Sequence, residues 1–236
     1  MLAIYKREMR AYFTSPLGYA FLAVFFLFNG GLFAISTLMM GSNSSIYSYI
    51  SLSLILSGVL IPVLTMKSFS DERRMRTEQL LLTSPVGLMG MVFAKFLAAF
   101  TMFGGSYIIC SLINFPLLYK YGEPNTGLLV GNVIAILLVG ATFVAVGLFI
   151  SSLTESQIVA AFVSIGASLF LLFADVLNQF IGSSAVRHAL SWISVTGRFG
   201  NFSYGILDFS ALLYYFSVCF IFMFLTVRIY DKRRWS

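Results

Sequence analysis

Residues 66–86, MKSFSDERRMRTEQLLLTSPV, form a densely charged stretch between two long apolar runs. Seven of these 21 residues are formally charged, although Asp, Glu, Lys and Arg make up only 10% of the 236 residues. A charged side chain at the centre of a bilayer costs about 2.5–3.5 kcal/mol on insertion scales. We therefore expect this stretch, the charged segment, to project from a membrane surface into water.

The apolar runs on either side of the charged segment predict an integral membrane protein. The mean hydropathy is +0.92 and 59% of the residues are hydrophobic, which leaves too little polar surface for a soluble domain of this length. The runs are too long for alternating β-barrel strands and fit helices that cross a hydrocarbon core about 30 Å thick. The predicted fold class is all-α with six transmembrane helices, at residues 17–40, 46–66, 88–119, 126–153, 158–173 and 210–227.

The basic residues indicate the orientation of the spans. The formal net charge is +6, and twelve of the fifteen Lys and Arg fall on one side if the chain has six spans and both termini are cytoplasmic. The predicted cytoplasmic set is Lys6, Arg7, Arg10, Lys67, Arg73, Arg74, Arg76, Lys95, Arg228, Lys232, Arg233 and Arg234. This distribution explains the basic balance without nucleic acid as a partner, because the sequence has no soluble domain to carry a basic face.

Two further segments are too short to cross and are predicted to lie at the interfaces. In residues 1–16, apolar and aromatic residues recur at helical spacing while Lys6, Arg7 and Arg10 lie off that stripe. An amphipathic helix in the cytoplasmic interface and an ordinary positive flank of the first span both fit this pattern. Residues 174–209 contain short apolar pieces between polar residues, and they fit interfacial or re-entrant helices on the outer side.

The charged segment itself divides into two helical pieces. Asp71 with Arg74, and Glu72 with Arg76, are opposite charges at a spacing of three or four residues, so the second span is expected to continue as a solvated helix. Thr77 can cap a second, leucine-rich helix whose first turn contains an acidic residue, as the helix dipole favours. A short helix that stands off the membrane in this way is typical of a docking element.

The sequence carries no pattern of residues for catalysis or metal binding. His188 is the one histidine, which excludes a zinc site on paired histidines, and neither a phosphate-binding P-loop nor a G-x-S-x-G motif is present. Asp175 lies at a span end and fits a polar helix terminus, while Lys95 is expected to reach the cytoplasmic border by snorkelling. Because these motifs are missing, no catalytic or metal-binding residues are predicted. Spans without buried charges favour an energy source outside the bilayer, acting through the charged segment.

Several short motifs carry a family resemblance. They are Ser70-Asp71-Glu72-Arg73-Arg74, Thr77, LLLTSPV at residues 80–86, Ala94-Lys95 and the tail RIYDKRRW at residues 228–235. In these motifs and in its architecture the chain resembles the permeases of the ABC-2 family, and is most similar to the branch described as gliding-motility-associated permeases. That family usually has glycine at the position of Arg76, glutamate at that of Gln79 and glycine at that of Ala94.

The resemblance implies a dimer and a separate ATPase. Such permeases pair with a second permease subunit, identical or related, and with two ABC ATPase subunits that bind the ATP and Mg²⁺, so no cofactor is expected in this chain. Residues 67–87 would form the coupling loop, residues 1–16 would be the elbow helix with its basic Lys6, Arg7 and Arg10, and residues 174–209 would be the re-entrant pair that closes the exit. The residues implied to dock on the ATPase are Asp71, Glu72, Arg73, Arg74, Arg76, Thr77, Glu78 and Gln79.

Together these features predict the transmembrane permease subunit of an ATP-binding cassette exporter in the cytoplasmic (inner) membrane of a bacterium. ATP hydrolysis by the separate subunit would move the coupling helix and spans one, two and five, and drive export of an unknown substrate across the lipid bilayer. An accessory protein on the outer side is a further candidate partner. The main alternative is a membrane subunit that passes force to an extracellular partner without transport. A lipid- or peptide-processing membrane enzyme and a plain anchor are the weaker alternatives.

Overall fold

All regular elements are helical in the part of the chain that the computed structural model describes, which comprises residues 1–38, 45–77, 87–121, 126–178, 184–203 and 208–235. Among these described residues, six helices are long and apolar enough to cross a membrane. The predicted fold class, an all-α membrane protein with six transmembrane helices, is therefore confirmed. The expected coupling helix falls mainly on residues 78–86, which lie outside the described residues.

The helices follow one another along the chain with short connections. The first three elements are α1 (Leu2–Thr14), then α2 (Pro16–Phe33), which continues as a π-helical turn at Ala34–Leu38, and α3 (Ser45–Thr65). A turn at Met66 separates α3 from its extension, α4 (Lys67–Arg74). The remaining elements are α5 (Leu88–Tyr121), α6 (Thr126–Leu153), α7 (Gln157–Asn178), α8 (Ser184–Ile193), α9 (Thr196–Ser203) and α10 (Phe209–Trp235).

A sharp bend separates α1 from α2, the first apolar span. Ser15 adopts an extended conformation, and its hydroxyl accepts a hydrogen bond from the amide of Gly18 at 3.3 Å, while Pro16 occupies the first position of α2. A serine cap followed by proline is the usual signal for a helix start. The chain turns so tightly that a Cβ at Gly18 would overlap the carbonyl of Tyr12.

The helix α6 lies at the centre of the bundle, in contact with α3, α5, α7 and α10. Close approach depends on its glycines, because a Cβ at Gly140 would overlap the ring of Phe103 in α5, and one at Gly147 would overlap the Thr65 side chain in α3. Gly140 and Gly147 lie seven residues apart in the sequence, a spacing that permits close helix contact, and the structure shows such a contact at each of them.

Hydrogen bonds between polar side chains add specificity to the apolar packing. Ser53 of α3 donates to the side-chain oxygen of Asn29 in α2 at 3.1 Å, and both residues are buried. Asn114 of α5 donates to the hydroxyl of Tyr49 in α3 at 3.4 Å. Inside a membrane such groups have no water to bond, so the pairs fix how α2 and α5 sit against α3.

The two short helices α8 and α9 close one end of the bundle. The amide of Val195 donates to the carbonyl of Leu171 in α7 at 3.2 Å, and the hydroxyls of Tyr214 and Tyr215 in α10 donate to the carbonyls of Ile193 and Val195 at 2.6 and 3.0 Å. These bonds satisfy the backbone between α8 and α9 and hold it between the ends of α7 and α10. The short elements expected within residues 174–209 are thus two helices fixed to neighbouring spans.

The opposite end of the bundle, which we call the basic end, gathers α1, α4, the α6–α7 turn and the last turns of α10. The twelve basic residues that the sequence assigns to one side all sit on these elements, on the turn that follows α4 or on the first turns of α5. The structure therefore places the predicted charge asymmetry at a single end of the helix bundle.

The tight contact at Gly140 gives a direct test of the packing. We expect Gly140→Ala to lower stability by about 1–3 kcal/mol, because the ring of Phe103 is buried between Phe25 and Tyr107 and has little room to move. The measurement is the apparent Tm of the purified protein in mild detergent. Gly166→Ala is the matched control, since a Cβ there meets no atom within 4 Å, and it should leave the Tm unchanged or slightly raised. Equal losses for the two variants would contradict the packing at Gly140.

Candidate functional site

The charged segment begins with a junction that α6 holds in place. Ser151 is fully buried, and its hydroxyl oxygen accepts hydrogen bonds from the amides of Phe69 and Ser70, each at 3.1 Å. The same hydroxyl donates to the carbonyl of Met66 at 3.0 Å. Early amides of a helix otherwise lack partners, so a side chain from a different helix caps α4 and fixes the angle at which it leaves α3.

Four charged side chains meet beside this junction and form what we call the ion cluster: Arg7, Glu8, Glu72 and Lys95. The ammonium of Lys95 lies 2.9 Å from the carboxylate of Glu72 and 3.3 Å from that of Glu8. The guanidinium of Arg7 lies 2.6 Å from the same two carboxylates. The cluster is electrically balanced, and it joins three elements, α1, α4 and α5.

Lys95 is the most deeply buried member of the ion cluster. Its side chain is 1% exposed, and its ammonium also donates to the carbonyl of Ser68 at 2.6 Å and lies 4.8 Å from the centroid of the Phe69 ring. A buried ammonium is tolerated when it is paired and its protons are hydrogen-bonded. Lys95 lies at the basic end as predicted, but it does not snorkel to water, because its ammonium binds the carboxylates of α1 and α4 inside the protein. The expectation that the spans contain no buried charge is therefore wrong.

Arg7 sits at the solvent edge of the ion cluster, with half of its side chain exposed. Partial burial lowers the pKa of Arg7, but the hydrogen bonds and charges of Glu8 and Glu72 outweigh burial and raise that pKa overall. The guanidinium thus remains charged, and it shields the carboxylates of Glu8 and Glu72 from bulk water. A groove of about 560 Å³ opens beside the cluster, between α1 and α4.

A second set of contacts ties α4 to the turn between α6 and α7. The guanidinium of Arg73 lies 3.0 Å from the carboxylate of Glu155 and donates to the carbonyl of Leu153 at 2.7 Å. On the same helix, Asp71 accepts a hydrogen bond from the side-chain amide of Gln157 at the start of α7. The acidic and basic residues of α4 therefore bind neighbouring elements on two sides.

The end of α10 completes the packing around α4. The ring of Tyr230 lies 5.0 Å from that of Phe69, between centroids, and both side chains are buried. Arg233 donates to the carbonyl of Ser152 at 2.8 Å, and its guanidinium lies 5.3 Å from the Tyr230 ring centroid. The basic tail of the sequence is thus the last part of a helix that packs on the charged segment.

The outer face of the charged segment is formed by Arg74, Met75 and Arg76, which are exposed. Helix α4 ends here in a turn in which Arg76 donates to the carbonyl of Arg73 at 3.1 Å and Thr77 donates to that of Glu72 at 2.9 Å. This pair of bonds is the Schellman pattern, which places the residue after the cap in a left-handed conformation. Arg76 has a φ of 56°, so the position where the family usually has glycine is one that favours glycine.

The structure divides the predicted docking residues into two groups. Asp71, Glu72 and Arg73 turn inward and bind other helices, whereas Arg74 and Arg76 point outward and form no ion pair with any described residue. The predicted pairs within the helix, Asp71 with Arg74 and Glu72 with Arg76, are wrong, since both acids bind residues from other helices. Thr77 is half-buried, and Glu78 and Gln79 lie outside the described residues.

Helix α1 matches the amphipathic pattern and adds one acid to it. Lys6 and Arg10 are exposed, while Ile4 is buried and the hydroxyl of Tyr5 donates to that of Thr101 in α5 at 3.3 Å. The sequence pattern did not identify Glu8 as a functional residue, although it is the only acidic residue before Asp71. An acid in a helix that faces anionic headgroups is unfavourable unless a cation binds it, and this signal could have identified Glu8. The sequence contains no comparable signal that would identify Ser151 as the cap of α4.

Within the described residues, no group of three or more His, Cys, Asp or Glu side chains could hold a metal ion. The described residues of this site bind one another through ion pairs and hydrogen bonds among helix ends. Such an arrangement can transmit a displacement from one helix to the next, because charge-assisted hydrogen bonds are short and directional.

Six apolar helices, with an ion-paired segment at one end, define a multi-pass membrane protein. The model of the family described as ABC-2 family transporter protein matches residues 2–235, and the chain therefore belongs to the ABC-2 transporter family. A search among curated proteins found no match. Membership in this family makes the chain a membrane permease subunit of an ABC transporter, and it implies an ABC ATPase subunit as its partner.

The buried ammonium of the ion cluster predicts a marked loss of stability in Lys95→Met. This change leaves the carboxylates of Glu8 and Glu72 close together, with Arg7 as their remaining cation, and should cost about 3 kcal/mol. The expected result is a fall of about 5–10 °C in the apparent Tm. Lys6→Met is the matched control, because Lys6 is exposed and its loss should change the Tm little. If the two variants have the same apparent Tm, Lys95 is not paired as described.

The left-handed conformation of Arg76 predicts that glycine is the better residue there. Arg76→Gly should stabilise the end of α4 by about 1 kcal/mol relative to Arg76→Ala, because both variants remove the charge while only glycine removes the Cβ. The measurement is hydrogen exchange of the amides at residues 75–77, followed by mass spectrometry. Slower exchange in the glycine variant supports the turn, and equal exchange in both variants would contradict it.

Proposed function

We propose that this chain is the permease subunit of an ATP-driven exporter, of the branch described as gliding-motility-associated permeases, and that its charged segment receives the movement of the ATPase. The contacts around Glu72 carry this proposal. Its carboxylate joins α1, α4 and α5, and its neighbours Asp71 and Arg73 bind the α6–α7 turn. A displacement of α4 therefore reaches the ends of four other helices through direct bonds.

The outward face of the segment is suited to receive that displacement. Arg74 and Arg76 are exposed, and the proposed coupling helix, around residues 77–83, follows them in the sequence. Because the acids of α4 are already engaged inside the protein, the surface presented to an ATPase is mainly basic. An acidic groove on the ATPase would complement it. Thr77, Glu78 and Gln79 remain proposed docking residues alongside these arginines.

The proposal includes a second permease subunit, identical or related, and two ATPase subunits. Helices α2 and α7, which flank α3, expose large apolar side chains such as Leu27, Phe162 and Phe173. A second permease placed there would cover these faces, and movement of α2, α3 and α7 would then open a path between the two subunits. Cargo would leave along this path or enter it from the inner leaflet.

The proposed setting is the inner membrane of a bacterium, with both termini in the cytoplasm. The support for this orientation is the grouping of the basic residues at one end of the bundle. ATP and Mg²⁺ would bind the partner ATPase, and this chain would hold no cofactor. An outer accessory protein would meet the end formed by α8 and α9.

Variants that change the charge on each face of the charged segment test the separate roles of the two faces. We expect Arg74→Glu with Arg76→Glu to abolish co-purification of the ATPase in mild detergent while leaving the Tm of the permease unchanged, since neither arginine has an ion pair among the described residues. We expect Glu72→Gln to retain the ATPase but to lower ATP hydrolysis by the complex in nanodiscs, because the bonds from α4 to α1 and α5 are weakened.

Lys6→Glu with Arg10→Glu is the control for these variants, because it reverses two exposed charges at the same end but on α1. This control should still bind the ATPase. The proposal fails if the Arg74 and Arg76 variant assembles normally and hydrolyses ATP as the unmodified complex does. Transport in proteoliposomes distinguishes an exporter from a subunit that passes force without transport.

A further inference from the structure

A large apolar groove runs between α5 and α10, and its lining contains no residue of the ion cluster. Helix α10 packs along α6 and touches α5 over a smaller area, which leaves a space of about 870 Å³ between them. Its lining carries no charged side chain, and the hydroxyl of Tyr215, one of the few polar groups there, is already bonded to the carbonyl of Val195. The groove is therefore suited to a hydrocarbon ligand and to little else.

The length of the groove matches half of a bilayer. Along α10 its lining extends from Tyr215 to Val227, and along α5 it includes Met89 and Phe93 in the first turns. Twelve residues of helix span about 18 Å. One leaflet contributes about half of a hydrocarbon core that is about 30 Å thick. The groove thus starts near the basic end and is about as long as one leaflet is deep, and along α10 it reaches Tyr215, whose hydroxyl binds the backbone between α8 and α9.

A stripe of α10 links the groove to positive charge. Phe220, Phe224, Arg228 and Lys232 are each four residues apart, so they lie above one another on one helix face. The rings of Phe220 and Phe224 line the groove, with 6.4 Å between their centroids, and the guanidinium of Arg228 lies 5.0 Å from the Phe224 centroid.

The two cations of this stripe remain open to a ligand. The Arg228 side chain is 64% exposed, and Lys232 is exposed. The nearest acid is Asp231, whose carboxylate lies 3.7 Å from the Arg228 guanidinium, a loose contact that leaves most of the guanidinium donors free. Arg234, also exposed, adds a further positive charge nearby.

We propose that this groove binds the acyl chain of an anionic phospholipid from the leaflet at the basic end, and that Arg228 and Lys232 bind its phosphate. The acyl chain would lie in the apolar groove, and the phosphate would lie between Arg228 and Lys232, which are one and two turns beyond Phe224 on α10. A helix of another protein would cross both leaflets and would need no cations at this depth. The lipid fills the space between α10 and α5, and α10 in turn packs on the charged segment through Tyr230.

The test uses the full-length permease, purified with its partner subunits and placed in nanodiscs. Spin-labelled phosphatidylglycerol and spin-labelled phosphatidylcholine are the two probes, and the immobilised fraction of each is measured by electron paramagnetic resonance. We expect the unmodified protein to prefer phosphatidylglycerol. Arg228→Gln with Lys232→Gln should reduce this preference at least about fivefold, because each basic residue near a membrane surface contributes about that factor.

Two further variants distinguish lipid binding in this groove from a general attraction of anionic lipid to the basic end. Leu138→Trp fills the groove and should remove immobilised lipid of both kinds, whereas Lys6→Gln with Arg10→Gln removes the same charge from α1 and should leave the preference intact. The proposal is overturned if the Lys6 and Arg10 variant loses the preference as fully as the Arg228 and Lys232 variant. It is also overturned if Leu138→Trp changes neither probe, since a partner subunit or cargo would then cover the groove. None of these results depends on ATPase docking.

Discussion

The pairing of Lys95 with Glu72 is the interaction on which the basic end depends. Burying an ammonium to 1% exposure is costly unless oppositely charged and hydrogen-bonding partners replace the water that it loses. Glu72 and Glu8 supply those partners from α4 and α1. The need to neutralise one buried charge therefore brings the interfacial helix, the extension of the second span and the third span to a common point.

The charged segment combines two requirements that usually conflict. In the function proposed above, it would be held firmly enough to transmit movement and would also leave a surface free for another protein. The fold meets both requirements by using opposite faces of a short helix. Acidic side chains and Arg73 bind inward to α5, α1 and the α6–α7 turn, while Arg74 and Arg76 remain outside. A turn with a left-handed Arg76 then ends the helix and sets the direction in which the chain continues.

The two ends of the bundle are stabilised by different chemistry. At the basic end, ion pairs and a buried serine cap connect the helices. At the opposite end, tyrosine hydroxyls of α10 bind backbone carbonyls between α8 and α9. Between these ends, α6 packs through glycines, because helices in lipid gain little from hydrophobicity alone and associate through close contact. Helix α10 takes part in contacts at both ends, so its position affects the whole bundle.

The sequence alone determined the membrane class, the six spans, the grouping of basic residues and the family resemblance, because these properties depend on composition and on order along the chain. Hydrophobic length fixes what can cross a bilayer, and the glycine spacing of α6 predicts its tight contacts. Only the tertiary structure decided the partners of the charges. Neighbours along a helix and neighbours in space offer similar pairing energies to a carboxylate, and burial decides between them. Glu72 therefore binds Lys95 and Arg7 from other helices instead of Arg76 on its own, and Ser151, an unremarkable residue in the sequence, caps a helix that begins more than eighty residues earlier.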